Sequence, residues 1–206
     1  MTPAIKTKFK NLAQTRELAA FAAIAAESKR RLDTAFYVEG YAARYEPYIL
    51  FDDPDGEPIF EQFERGCFDH TDMSDILYQY NHSGRVFART SNRSLLVEPT
   101  DDGLFMAADL GRTQAAREHY EDVRSGMITK MSWRFRCGDY FYDAATRTIV
   151  HRSVAKIYDV SAVSHPANEN TEINARALVD GEIARAARRE AELEERRRKL
   201  RLKLML

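Results

Sequence analysis

An imidazole, a hydroxyl and a carboxylate occur in that order on three separated segments: Asn81-His82-Ser83, Met131-Ser132-Trp133-Arg134-Phe135 and Tyr158-Asp159-Val160-Ser161. Each segment reads as a strand or a strand end, so a β-rich core can bring them together although about 75 residues separate the outer two. These are the parts of an activated serine nucleophile, in which the imidazole takes the hydroxyl proton and the carboxylate holds the imidazole. Spacing alone is not diagnostic, because any soluble chain contains His, Ser and Asp. Alternation along the middle segment puts Met131, Trp133 and Phe135 on one face and Lys130, Ser132 and Arg134 on the other. Ser132 therefore belongs to the polar face, where Arg134 could also help to stabilise an oxyanion. His82 ends the alternating run Ile76 to Tyr80, at a polar turn, and an ordinary imidazole takes up a proton near neutral pH. Asp159 shares its face with Ile157 and Ser161. Its two roles, fixing the imidazole or bridging to Lys156 or Arg136, are both open.

Other constellations are weaker. Asp69-His70-x-Asp72-x-x-Asp75 has carboxylates and an imidazole but no spacing tied to a known metal loop, and a polar turn is the better reading. No Gly-x-x-x-x-Gly-Lys-Ser/Thr or Gly-x-Gly-x-x-Gly word is present, which argues against nucleotide chemistry.

The elements that must position these residues follow from periodicity. Residues 11–32 are helical by propensity, with Leu18, Phe21, Ala22 and Ala25 forming one stripe. From 35 to 110, short β-branched and aromatic runs alternate with the turn words Asp53-Pro54-Asp55-Gly56 and Asp101-Asp102-Gly103, a rhythm that suggests a barrel or sandwich. Thr113 to Arg124 carries a helical stripe stopped by Gly126, and strands resume at 127–142 and 148–163. The tail from Glu182 to Lys203 reads as a charged helix with Ala186, Leu193 and Leu200 at heptad spacing, too few for a coiled coil. The reading is an α+β chain in three parts: a basic N-terminal helical extension (1–32), a mostly antiparallel β-barrel core with flanking helices (33–177), and a charged helical tail (178–206).

With 206 residues and 44% hydrophobic content the chain can bury a sizeable core. The net charge of −1 conceals a division. Residues 1–31 carry seven Lys/Arg against two Glu and residues 178–206 nine against six acids, so the ends are +5 and +3 and the remainder −9. Basic arms on an acidic body suggest docking to an acidic surface, such as a protein shell, nucleic acid or the body itself. Two cysteines, Cys67 and Cys137, offer no framework of bridges and favour a reducing setting. No run is long enough for a spanning helix. Leu18 to Ala26 superficially imitates a signal peptide, but charges flank it directly and no cleavage region follows.

The ordered words of this chain resemble the prohead maturation proteases of tailed bacteriophages, distantly similar in fold to herpesvirus capsid-assembly proteases. They are Phe63-Glu64-Arg65-Gly66-Cys67-Phe68-Asp69, Leu77 to His82, Ser94 to Glu98, Gly126-Met127-Ile128-Thr129-Lys130-Met131-Ser132 and Asp159-Val160-Ser161-Ala162-Val163-Ser164-His165-Pro166-Ala167-Asn168. The resemblance covers residues 35 to 177, and its most specific pieces are the Gly126–Ser132 and Asp159–Asn168 runs. It implies a serine endopeptidase with Ser132 as nucleophile, His82 as base and Asp159 as third member, where Glu is common in the family. His165 competes for that third role, because herpesvirus relatives use a second histidine. Trp133-Arg134 departs from the family, which more often has a small residue there, and this leaves the oxyanion donors open. The implied substrates are the scaffold segment of the major capsid protein, other prohead interior proteins and the protease itself; the exposed, Arg- and Lys-rich helical ends place the expected self-cleavage near the junction between Asn168 and Glu182. The implied place is the assembling prohead in the host cytoplasm, with no cofactor, no metal and no membrane; oligomeric state is left open. The rival reading is a non-enzymatic capsid assembly or scaffolding factor, and a weaker one a nucleic-acid binder using the Arg-rich tail.

Overall fold

The computed structural model describes residues 13–19, 21–22, 30–52, 57–164 and 169–204. Among them the strands form three sheets. The first has five strands, in the order β1 (Ala13–Ala19), β10 (Lys130–Cys137), β13 (Val154–Val163), β6 (Leu77–Tyr80) and β7 (Ser83–Arg89). The second runs β11 (Tyr140–Asp143), β12 (Thr148–His151), β5 (Pro58–Phe63), β4 (Tyr48–Asp52). The third runs β2 (Phe21–Ala22), β3 (Tyr37–Arg44), β9 (Gly103–Asp109), β8 (Leu95–Thr100). Two helices, α1 (Gln114–Arg124) and α2 (Glu169–Leu204), complete a mixed α+β architecture among the described residues. The pairings β13–β6 and β12–β5 are parallel and the others antiparallel. No closed barrel is formed by these ladders among the described residues.

Apolar alternation builds the core between the sheets. Met131, Trp133 and Phe135 of β10 are all fully buried, as their period of two requires. Phe63 of β5 meets them edge-on, with its ring centroid 5.2 Å from Trp133 and 5.5 Å from Phe135. β9 is a continuous apolar run because both of its faces are covered: Leu104, Met106 and Ala108 enter the main core, while Phe105 and Ala107 pack with Tyr37 on the other side. In α1, Thr113 caps the helix by accepting from the Ala116 amide at 3.1 Å, and Ala116, His119 and Val123 are the buried stripe.

Two expectations change. The helix anticipated over 11–32 is extended where it is described, as β1 and β2: the good helix formers of Ala13–Ala19 instead pair along the open edge of β10, and tertiary hydrogen bonding overrides propensity. The tail helix is as expected but longer, beginning at Glu169, with Leu193 and Leu200 exposed. The turn word Asp53 to Gly56 lies outside the described residues.

The turn at Asp101-Asp102 closes the β8–β9 hairpin and yields the first testable consequence. Gly103 has φ +142°, and a Cβ built there would lie 2.1 Å from the Ala43 carbonyl oxygen. Gly103→Ala should therefore force β3 away from β9 and destabilise the protein by about 2 kcal/mol or more. The denaturant midpoint measures this; an unchanged midpoint would show that the two strands can part without cost.

Candidate active site

The three residues singled out by sequence converge on the first sheet. His82 occupies a two-residue turn joining β6 to β7, closed by the Tyr80–Ser83 pair. Asn81 and His82 both have positive φ, 50° and 56°, as a type I′ hairpin turn demands. That conformation costs energy for residues with a Cβ, so something must hold it. Asn81 does so: its amide donates to the Ala162 carbonyl at 2.9 Å, its Nδ2 donates to Ser164 Oγ at 3.2 Å, and its Oδ1 accepts from the Ser164 amide at 3.1 Å. The histidine is thereby tied to the end of the strand that carries the aspartate.

Register supplies the rest. Ser132 of β10 pairs with Ser161 of β13, and Arg134 with Asp159. His82 Nε2 lies 2.6 Å from Ser132 Oγ, and His82 Nδ1 lies 2.5 Å from Asp159 Oδ1. With the Nδ1 proton directed to the carboxylate, Nε2 is left as the acceptor for the hydroxyl. Asp159 is fully buried, and Ser161 Oγ donates to its Oδ1 at 2.8 Å. Arg134 Nε approaches the other oxygen, Oδ2, at 2.9 Å, an ion contact without a well-aligned hydrogen bond. A buried carboxylate needs such partners to remain charged. Arg134 thus pairs with Asp159, while Lys156, one of the two cations anticipated for that carboxylate, pairs instead with Asp72 at 2.7 Å. Asp75 pairs with Arg89, so the acidic run from Asp69 to Asp75 spends two of its carboxylates on cations. His165 lies outside the described residues.

Ser132 lies on the polar face of β10, yet it is fully buried. β1 covers it. Glu17 is the register partner of Ser132 and Arg16 of Trp133, and Ser132 Oγ lies 2.9 Å from the Arg16 carbonyl oxygen.

A second charged cluster, which sequence reading missed, sits on the far side of the same strand. Glu61 is fully buried between Ile59 and Phe63 on the core face of β5. Arg16 grips it with two bonds, Nε to Oε2 at 2.5 Å and Nη2 to Oε1 at 2.8 Å; Tyr48 donates its hydroxyl to Oε2, and His151 Nε2 lies 2.8 Å from Oε1. The signal was present: in Ile59-Phe60-Glu61-Gln62-Phe63 the alternation puts an acid on an apolar face. Burial alone would raise the Glu61 carboxyl, but Arg16 and His151 outweigh it and hold the group well below the usual carboxylate range. Burial likewise depresses His151, while Cys137 and Glu61 more than offset this and push it up to about 9.

A pH dependence follows from His151. A group whose folded pKa is raised stabilises the fold fully below its unfolded value of 6.5 and loses that contribution as pH rises through about 9. Unfolding free energy measured by denaturant should therefore decline between those limits, and His151→Gln should flatten the decline. An equally steep decline in the variant would assign it to another group.

A family model described as caudovirus prohead serine protease matches residues 24–183 of the chain. No curated protein and no solved structure matches it.

Proposed function

Since the chain belongs to the caudovirus prohead serine protease family, we propose that it is the endopeptidase of prohead maturation and that Ser132, His82 and Asp159 are its catalytic residues. The observation that carries this reading is the unbroken relay of short contacts from Asp159 Oδ1 through His82 to Ser132 Oγ. In the reaction Ser132 Oγ attacks a peptide carbonyl carbon and its proton passes to His82 Nε2. The imidazolium that forms is stabilised by Asp159, which Ser161 and Arg134 keep in place. His82 then protonates the leaving amine, and water, activated by the same imidazole, hydrolyses the acyl ester.

The proposed substrates are the scaffold segment of the major capsid protein, other interior proteins and the enzyme itself, inside the assembling prohead in the host cytoplasm. The helical tail serves as a docking arm, an idea supported by its run of Arg and Lys from Arg196 to Lys203. We propose too that the three sheets are parts of a herpesvirus-protease-like barrel, since β3 packs against both β10 and β5. Co-expression with the phage's capsid protein tests the role: capsid fragments found by mass spectrometry with the wild type and absent with a Ser132 variant support proteolysis. Identical intact capsid protein in both cases would favour a purely architectural factor.

A further inference from the structure

We propose that β1 lies in the enzyme's own peptide-binding cleft, with Arg16 in the primary specificity pocket and Arg16–Glu17 as the bond that Ser132 cuts. This rests on the reading of Ser132 as nucleophile.

Separate observations support it. Among the described residues β1 is an edge strand, paired on one side, antiparallel to the strand that carries Ser132. That is how an extended peptide adds to a sheet edge, main-chain bonds fixing it and alternate side chains entering pockets. Within this strand the backbone oxygen next to Ser132 Oγ is that of Arg16, at 2.9 Å, so the carbonyl carbon one bond away belongs to a residue whose own side chain is buried and bound at both ends of its guanidinium fork. Arg16 is 3% exposed, its guanidinium clamped by both oxygens of Glu61 and 5.6 Å from the centroid of the Phe135 ring. A planar fork on a carboxylate, lying over an aromatic ring, selects arginine over lysine and over neutral residues. Tyr48 and His151 hold the carboxylate from its other sides, so the pocket remains polar and paired when Arg16 leaves: His151 then faces Glu61 as its remaining cation. While β1 is seated Ser132 is inaccessible, and release of this strand is what opens the cleft to other chains.

The step balances without any added reactant except water. Oγ bonds to the Arg16 carbonyl carbon and its proton goes to His82 Nε2. The carbon–nitrogen bond to Glu17 breaks, and the proton passes from His82 to the Glu17 nitrogen. Water then releases Arg16 as a carboxylate and restores the Ser132 hydroxyl. The same pocket makes Arg176–Ala177 the bond to expect within residues 168–182, a window that holds no other Arg or Lys.

The test uses full-length wild type, Ser132→Ala and Arg16→Gln, each followed by intact mass and N-terminal sequencing. The wild type should acquire an N-terminus at Glu17, while both variants keep residues 1–16. Because Arg16→Gln leaves Glu61 without its guanidinium and could misfold, the processed wild type is also given heptapeptides of the sequence Ala13–Ala19 carrying Arg, Lys or Gln at the fourth position. A site built to bond a charged group rejects analogues lacking it, so the Arg peptide should exceed the Gln peptide in kcat/KM by roughly 10³-fold or more. Labelling by a serine-directed fluorophosphonate separates the two levels of the argument. If Ser132 is labelled and other peptides are hydrolysed, yet the 16–17 bond stays whole and Arg confers no advantage, the pocket assignment is overturned and the nucleophile stands. If Ser132 takes no label and nothing is hydrolysed, the nucleophile falls and the pocket assignment with it.

Discussion

Replacing Ser132 by alanine should lower peptide hydrolysis by roughly 10⁴-fold or more, with His82→Ala nearly as severe and the double variant no worse than either. The reason is geometric. His82 acts on substrate only through the 2.6 Å contact to Ser132 Oγ, so once the hydroxyl is gone the base has nothing to deprotonate. Additive losses would mean that the two side chains act independently. The fold should survive Ser132→Ala, because the change removes one oxygen from a site bounded by backbone and leaves Trp133 and Met131 in their places. Near-UV circular dichroism and the denaturant midpoint provide that control, and wild-type turnover in Ser132→Ala would refute the assignment.

The second large effect concerns the third member. Asp159→Asn should reduce kcat by about 10⁴-fold with little change in KM, because an amide facing Nδ1 favours the wrong imidazole tautomer and cannot stabilise the imidazolium. The loss should exceed that of His165→Ala. Arg134 adds a discriminating feature: in Asp159→Asn its charge loses its partner, so Arg134→Gln should cost less in that background than in the wild type. Equal costs in both backgrounds would show that Arg134 acts elsewhere, as a substrate or oxyanion contact. The reverse ranking of Asp159 and His165 would transfer the third role to His165.

Much of this site could be read from the chain because it is built from strands whose alternation is plain. The Met131-Ser132-Trp133-Arg134-Phe135 run announces its two faces, and the polar Asn81-His82-Ser83-Gly84 word marks a hairpin tip. What alternation could not supply was the neighbour on each face. Ser132 sits on the non-core face as anticipated, but a polar face is wet only until another strand covers it, and the covering strand came from a segment whose Ala, Gln, Arg, Glu and Leu favour a helix in isolation. Arg134 and Asp159 are 25 positions apart in sequence and become partners through the β10–β13 register, which two bulges shift. No local pattern encodes that offset. Glu61 was legible in principle, as an acid out of phase on an apolar stripe, whereas its partners Arg16, Tyr48 and His151 come from three other strands and only the fold joins them.

The chemistry claimed for this protein rests on Ser132 being nucleophilic, and its covalent capture tests that most directly. The wild-type protein, His82→Ala and Ser132→Ala would be incubated to completion with a fluorophosphonate, and the adduct located by peptide mass mapping. β1 covers Ser132 and must lift or be cut before the reagent enters, so labelling should follow that opening and be complete at long times. One phosphonyl group on Ser132 of the wild type, with none on His82→Ala or Ser132→Ala, is the predicted result. An unlabelled wild type, or an adduct on another residue that persists in Ser132→Ala, would contradict it.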